Sequence, residues 1–327
     1  MVLPFDINNI FSVNESSFDD LCNTVFQFQY QYNPIYHKWV DLIDSLPTKR
    51  KIPQNIPALP ISFFKEQRVT TGNWQEQKVF ESSGTTGMVT SRHYLADLAI
   101  YEQAFIQGFE RQYGSIKNWC VLALLPAYLE RENSSLVYMA NKMITMSNHT
   151  ESGFYLYNYA ELASKLTELE LLGQPTLLLG VTFALLDFSA QFPLQLKHTV
   201  VMETGGMKGR GRELTRSELH KTLIGRLGLK NIHAEYGMTE LLSQAYSKGM
   251  GRYYCPPWMK VFVRKEDDPF ELLTEGTGLI QIVDLANIFS CSFIATQDIG
   301  KLYEDGSFEV LGRMDHADIR GCSLLVL

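Results

Sequence analysis

Between residues 78 and 235 short apolar runs alternate with amphipathic stretches. The runs at 79–81, 119–125, 176–180, 198–202 and 232–235 read as buried strands. The stretches at 94–112, 134–146, 159–171 and 215–227 read as helices, and the last opens on a capping box, Thr215 with Glu218. Buried strands alternating with helices predict an α/β domain whose mainly parallel sheet is flanked by helices on both faces. Past Gly237 the pattern changes. Residues 259–264, 278–285 and 308–311 read as β-strands, with a hairpin turn at Asp305-Gly306, and predict a smaller β-rich subdomain. Near the start, residues 17–31 read as a helix with Ser17 as its cap and Asp20 in its first turn. In the stretch 47–60, Pro53, Pro57 and Pro60 argue against regular structure. The division expected is a helical and proline-rich wrapping segment at 1–77, an α/β core at 78–250, a β-rich subdomain at 251–312, and a short tail at 313–327.

Composition narrows the classes of function. The 327 residues are 45% hydrophobic and 20% charged, an ordinary globular mix. A net charge of −7 argues against nucleic acid or an anionic membrane as the main partner, since phosphate binding needs a basic footprint. The opening "MVLPFDINNIF" lacks the basic start and long apolar stretch of a secretory signal. The apolar run at 176–186 falls short of the roughly 20 residues that span a bilayer, so no transmembrane segment is expected. Five widely spaced cysteines suggest reduced thiols and a cytoplasmic protein. With no CxxC or HExxH spacing, a structural zinc site is not expected, and the seven scattered histidines read as surface or satisfied core residues.

Four short motifs carry chemistry. Ser82, Ser83, Gly84, Thr85, Thr86 and Gly87 follow an apolar strand, ahead of the helix expected from residue 94. Glycines allow a tight turn, while hydroxyls and free N–H groups can cradle phosphate oxygens, though a plain surface loop has the same composition. Thr204, Gly205 and Gly206 end another strand, followed by Lys208, Arg210 and Arg212. Paired glycines there can admit a flat ligand, and the cations either face phosphates or form a solvated turn. In Glu235-Tyr236-Gly237-Met238-Thr239-Glu240 the tyrosine can stack on a purine and the final carboxylate can hold Mg²⁺, or the two can serve packing and capping. The last group comprises Thr296-Gln297-Asp298 before an expected turn, Gly312-Arg313-Met314-Asp315, and Asp318-Ile319-Arg320-Gly321. An acid placed before a turn can accept from both ribose hydroxyls.

Taken in order, these motifs resemble the adenylate-forming superfamily of acyl-CoA ligases, luciferases and peptide-synthetase adenylation domains, from about Phe80 onward. The closer resemblance is to the acyl-protein synthetases, the component of bacterial bioluminescence fatty-acid reductases that activates fatty acids. It is carried by "IPALPISFFK" at 56–65, "FESSGTTG" at 80–87, residues 235–240 and "IRGCSLL" at 319–325. Phenylacetate-CoA ligases look like more distant relatives. The resemblance implies the large domain of an adenylate-forming enzyme, using ATP and Mg²⁺. Ser82, Ser83, Gly84, Thr85, Thr86 and Gly87 would then grip the ATP phosphates. Tyr236 would stack on adenine, with Gly205, Gly206 and Thr239 beside it. Glu240 would hold Mg²⁺, Asp298 and Arg313 would bind the ribose, and Asp315 would mark a hinge.

The sequence departs from the superfamily in ending soon after that hinge motif, without the mobile carboxyl-terminal domain and its lysine. Lys208, Arg210 or Arg212, or else a partner chain, is the expected source of the substitute cation. Cys322 matches the cysteine that accepts the acyl group in acyl-protein synthetases; otherwise it anchors the terminus. Tyr128 and the apolar stretch 180–188 are candidates for the acyl pocket. The expected activity is ATP-dependent activation of a carboxylic, fatty, acid with transfer to a thiol, its own or a carrier's. A minimal acyl- or aryl-CoA ligase and a catalytically weak adenylate-binding scaffold are the alternatives.

Overall fold

Asn14 opens the first long helix. Its side chain accepts from the Ser16 and Ser17 amides while Ser17 Oγ accepts from the Asn14 amide. Ser17 is therefore the cap's partner three positions on, not the cap itself. The computed structural model describes residues 3–43, 51–83, 89–125, 133–205, 214–265 and 271–314. After a single turn, α1 (Asn8–Phe11), this helix, α2 (Glu15–Tyr32), buries Phe18, Cys22, Val25, Phe26 and Gln29, and α3 (Pro34–Ile43) follows. The proline-rich stretch is more regular than expected. Pro53 starts a 3₁₀ turn, where its missing N–H costs nothing, and β1 (Leu59–Pro60) pairs in parallel with a distant strand before α4 (Phe63–Glu66).

The chain divides into two compact units, Trp74–Pro256 on one hand and Met1–Asn73 with Pro257–Leu327 on the other. The Trp74–Pro256 unit begins with an antiparallel pair, β2 (Lys78–Glu81) and β3 (Arg92–Leu95). The helix expected from residue 94 starts instead after Asp97, which caps α5 (Leu98–Tyr113) through the Ala99 amide. Then come β4 (Cys120–Leu124), α6 (Ser135–Ser147), β5 (Gly153–Tyr155), α7 (Tyr159–Leu172), β6 (Thr176–Val181) and α8 (Thr182–Gln191). The unit ends with β7 (Thr199–Thr204), α9 (Arg216–Leu227), β8 (His233–Tyr236) and β9 (Ala245–Ser247). Strand order is β5-β4-β6-β7-β8-β9, parallel throughout except for β9. Every residue of β4 and β6 is buried, which is why these runs show no alternation. The expected capping box of α9 is present, Thr215 and Glu218 bonding reciprocally.

The remaining strands are β10 (Met259–Arg264), β11 (Leu272–Leu273), β12 (Gly276–Asp284), β13 (Phe293–Leu302) and β14 (Phe308–Arg313). With β1 they form one sheet in the order β1-β13-β12-β10-β11, β14 pairing on β13. Helix α2 belongs to this unit by its contacts. Gln29 Nε2 donates to the carbonyls of Asn287 and Ile288, and Phe26 and Tyr36 meet Phe293 with ring centroids 6.2 and 5.8 Å away. Trp258, fully buried, meets Phe11 edge-on at 5.0 Å. Each such ring contributes on the order of 2–3 kcal/mol by leaving water. No helix among the described residues is long and apolar enough to cross a membrane.

Candidate functional site

Two parallel neighbours, β7 and β8, finish side by side, with Thr204 opposite Glu235. Alternation along β7 sends Glu203 and Thr204 to opposite faces of the sheet. On one face Thr204 Oγ1 donates to Glu235 Oε2. Burial pushes the Glu235 carboxyl up to about 7, helped by the nearby Glu203 charge and opposed by the Thr204 bond. Gly237 leaves room for that carboxylate, since a Cβ there would run into Glu235 Oε1. On the other face Glu203 lies 3.3 Å from Arg216 Nε and 3.6 Å from His220 Nε2, both on α9. Thr182 Oγ1, at the start of α8, donates to Glu203 Oε2 at 3.3 Å and to the Gly205 carbonyl at 2.8 Å. Gly205 itself has φ +69°, a conformation that favours glycine.

Tyr236 ends β8 buried, its ring centroid 5.8 Å from that of Tyr253. The Arg216 guanidinium lies over the other ring of this pair, 5.2 Å from the Tyr253 centroid. Arg216 thus links the buried Glu203 to the tyrosine pair. Thr239 and Glu240 follow in a turn, where the Thr239 carbonyl partners His93 Nδ1 at 2.8 Å and Glu240 is buried. Sequence reading missed Glu203, Thr182, Arg216 and Tyr253. Glu203 had a usable signal, a carboxylate inside the otherwise apolar run before Thr204.

Ser82 lies at the end of β2, tied to Ser91 by two bonds: the Ser82 amide donates to the Ser91 carbonyl, and the Ser91 amide to Ser82 Oγ. The motif therefore joins two antiparallel strands, and β3 follows it where a helix was expected. Ser82 and Ser83 are described; Gly84, Thr85, Thr86 and Gly87 lie outside the described residues.

In the β-rich unit Asp298 lies within β13, directly opposite Arg313 on β14. It does not precede a turn, as the sequence suggested; the strand continues to Leu302. Arg313 Nη2 donates to Gln297 Oε1 at 3.4 Å, and the Asp298 amide donates to Thr296 Oγ1 at 3.2 Å. The structure thus brings Asp298 and Arg313 together in one unit, and Gly205, Tyr236, Thr239 and Glu240 belong to the other with Ser82 and Ser83. Tyr128, Gly206, Lys208, Arg210, Arg212, Asp315 and Cys322 lie outside the described residues. Among the described cysteines, Cys22, Cys120 and Cys291 are buried, and burial pushes all three thiols up, Cys120 to about 11 and Cys291 to about 12.

The family model described as acyl-protein synthetase, LuxE, matches residues 11–327. A search of curated proteins gives no match. Among solved structures, ATP-bound MatB from Rhodopseudomonas palustris is similar at a TM-score of 0.55 and 16% identity, over 72% of this chain and 47% of that one. A 2-hydroxyisobutyryl-CoA ligase in its postadenylation state, holding R3-HIB-AMP, is similar at a TM-score of 0.59 and 10% identity, over 96% of this chain and 72% of that one. The chain spans about half the length of the MatB structures it matches. At these identities the likeness is one of fold, that of the large domain of adenylate-forming enzymes, as the motifs implied.

Proposed function

The chain belongs to the acyl-protein synthetase family, LuxE, and from that premise we propose that it activates a fatty acid with ATP and transfers the acyl group to a thiol. The observation that carries this reading is the paired strand ends of β7 and β8. There a left-handed glycine, a buried tyrosine backed by Tyr253, and two buried carboxylates meet where open α/β sheets receive ligands. Tyr236 offers its ring to adenine, with Gly205, Gly206 and Thr239 around it. Ser82, Ser83, Gly84, Thr85, Thr86 and Gly87 hold the phosphates, and Asp298 and Arg313 hold the ribose.

The described residues contain no cluster of three or more His, Cys, Asp or Glu side chains able to cage a metal. A magnesium ion that takes its other ligands from phosphates and water needs only one or two protein carboxylates, which Glu240 fits. When bound, that ion neutralises phosphate charge. A carboxylate oxygen of the acid attacks the α-phosphorus, the bond to the bridging oxygen breaks, and pyrophosphate leaves with its electron pair. Lys208, Arg210 or Arg212 supplies cationic stabilisation of that leaving charge. A thiolate then attacks the acyl carbon and AMP departs.

Burial makes Cys22, Cys120 and Cys291 poor nucleophiles, Cys255 is half-buried, and Cys322, on the family likeness, or a carrier thiol is the acceptor in this reading. The test is pyrophosphate release with a panel of fatty and aromatic acids, followed by intact-mass measurement. The expected result is release with fatty acids and one acyl adduct, lost in Cys322→Ser. No release with any acid overturns the activation step. Release without an adduct, and with acyl-CoA formed from added CoA, assigns the chain to the CoA ligases instead.

A further inference from the structure

Arg264, the last residue of β10, is a half-buried cation without an ion pair among the described residues. Its Nη2 donates to the Thr296 carbonyl at 2.6 Å, while its Nε is buried with no hydrogen-bond partner. Burial lowers its pKa, and no carboxylate among the described residues offsets the cost. An apolar chain would cover the same part of the sheet without removing a charge from water. The guanidinium adds a hydrogen bond that an apolar chain could not make.

What it holds is the start of the motif that contains Asp298. On the β12 side, pairing runs to Ala295 opposite Gln281 and resumes at Ile299 opposite Leu279. On the outer edge the partner changes from β1, opposite Ala295, to β14, opposite Asp298. Thr296 and Gln297 therefore fall between the registered pairs on both sides, and individual bonds help to hold this stretch. Thr296 Oγ1 donates to the Ile280 carbonyl at 2.8 Å and accepts from the Asp298 amide, and the Gln297 carbonyl accepts from the Met314 amide at 2.8 Å. Arg264 holds the Thr296 carbonyl in the same stretch.

We propose that Arg264 is a positioning residue that sets Asp298 for ribose recognition, and so determines how well the protein distinguishes ribonucleoside from dideoxyribonucleoside triphosphates. This rests on Asp298 serving as the ribose ligand, as given under Proposed function. A guanidinium that grips a carbonyl at a break in the ladder fixes the backbone two residues before Asp298. The Asp298 amide, bonded to the Thr296 hydroxyl, inherits that position.

Calorimetry with ATP and with 2′,3′-dideoxy-ATP, on the full chain, tests it. The variants are Arg264→Met, Arg264→Lys and Asp298→Ala, and a melting curve of each checks that it is folded. The wild type is expected to prefer ATP by about tenfold or more, as hydrogen bonds to a carboxylate would give. Asp298→Ala should abolish the preference. Arg264→Met should weaken ATP by about tenfold and leave dideoxy-ATP unchanged, with Arg264→Lys between it and the wild type. Loss of the preference in Asp298→Ala with full preference in Arg264→Met overturns the positioning role alone. Equal weakening of both nucleotides in Arg264→Met also overturns it, showing a general structural effect. A wild type that binds ATP without preferring it removes the ribose role of Asp298, and the inference with it.

Discussion

Glu203 and Arg264 are charged side chains held near strand ends, one in each unit, and their surroundings differ. Glu203, with 4% of its side chain exposed, faces Arg216 and His220 and accepts from Thr182. Arg264 donates to one carbonyl and has no counter-charge among the described residues. Burying an ion costs several kcal/mol unless partners restore what water supplied. Around Glu203 that restoration, partial at Oε1, which has no hydrogen bond among the described residues, ties strand, loop and helix together, so the charge is part of the architecture. Around Arg264 it is incomplete, and the residue matters for where it puts a backbone segment.

Glu203→Ala is the strongest way to break this contrast. It should destabilise the protein by about 3–5 kcal/mol, because Arg216 loses a carboxylate partner in a largely buried setting. Urea unfolding measures it, and a cost under about 1 kcal/mol would mean Glu203 is no better integrated than Arg264. Glu235→Gln sharpens the same point through pH. The folded carboxyl titrates near 7 against an ordinary glutamate value of 4.5, so the folded state holds a proton that the unfolded state releases between those values. Wild-type stability should therefore fall as pH rises through that window and level off above about 7. The variant lacks this term, so it should gain up to about 3 kcal/mol on the wild type at pH 8 and almost nothing below pH 4.5. A pH-independent difference in unfolding free energy would show that Glu235 is ionised throughout. The smallest effect belongs to Thr215→Ala, which removes the cap of the helix that carries Arg216 and His220. About 1 kcal/mol should be lost, read as a lower melting temperature.

Much of the Trp74–Pro256 unit was legible because its strands are buried at every position and so read as uninterrupted apolar runs. The box at Thr215 and Glu218 was equally plain, being a local pattern. Strand β3 was not, since Arg92, His93 and Tyr94 give no apolar run and merge into the helix that Asp97 caps. Strand β13 was hidden for another reason. Its middle carries Thr296, Gln297 and Asp298, polar residues that read as a turn, and only pairing with β12 and β14 keeps them extended. Asn14 was overlooked as a cap because Ser17 offers the same chemistry three positions later. In the site, the motif residues Tyr236 and Glu240 were found by pattern. Arg216 and Tyr253 meet only through the fold, across a stretch of sequence that no local pattern spans.

The bond from Gln29 Nε2 to the Asn287 carbonyl closes a gap of 258 positions. During synthesis the apolar face of α2 emerges from the ribosome long before the strands that cover it. A complete intervening unit must be made while Phe18, Val25 and Phe26 wait. Such long-range closure slows folding and leaves sticky surface open to self-association, so newly made chains should depend on chaperones more than the size of either unit suggests.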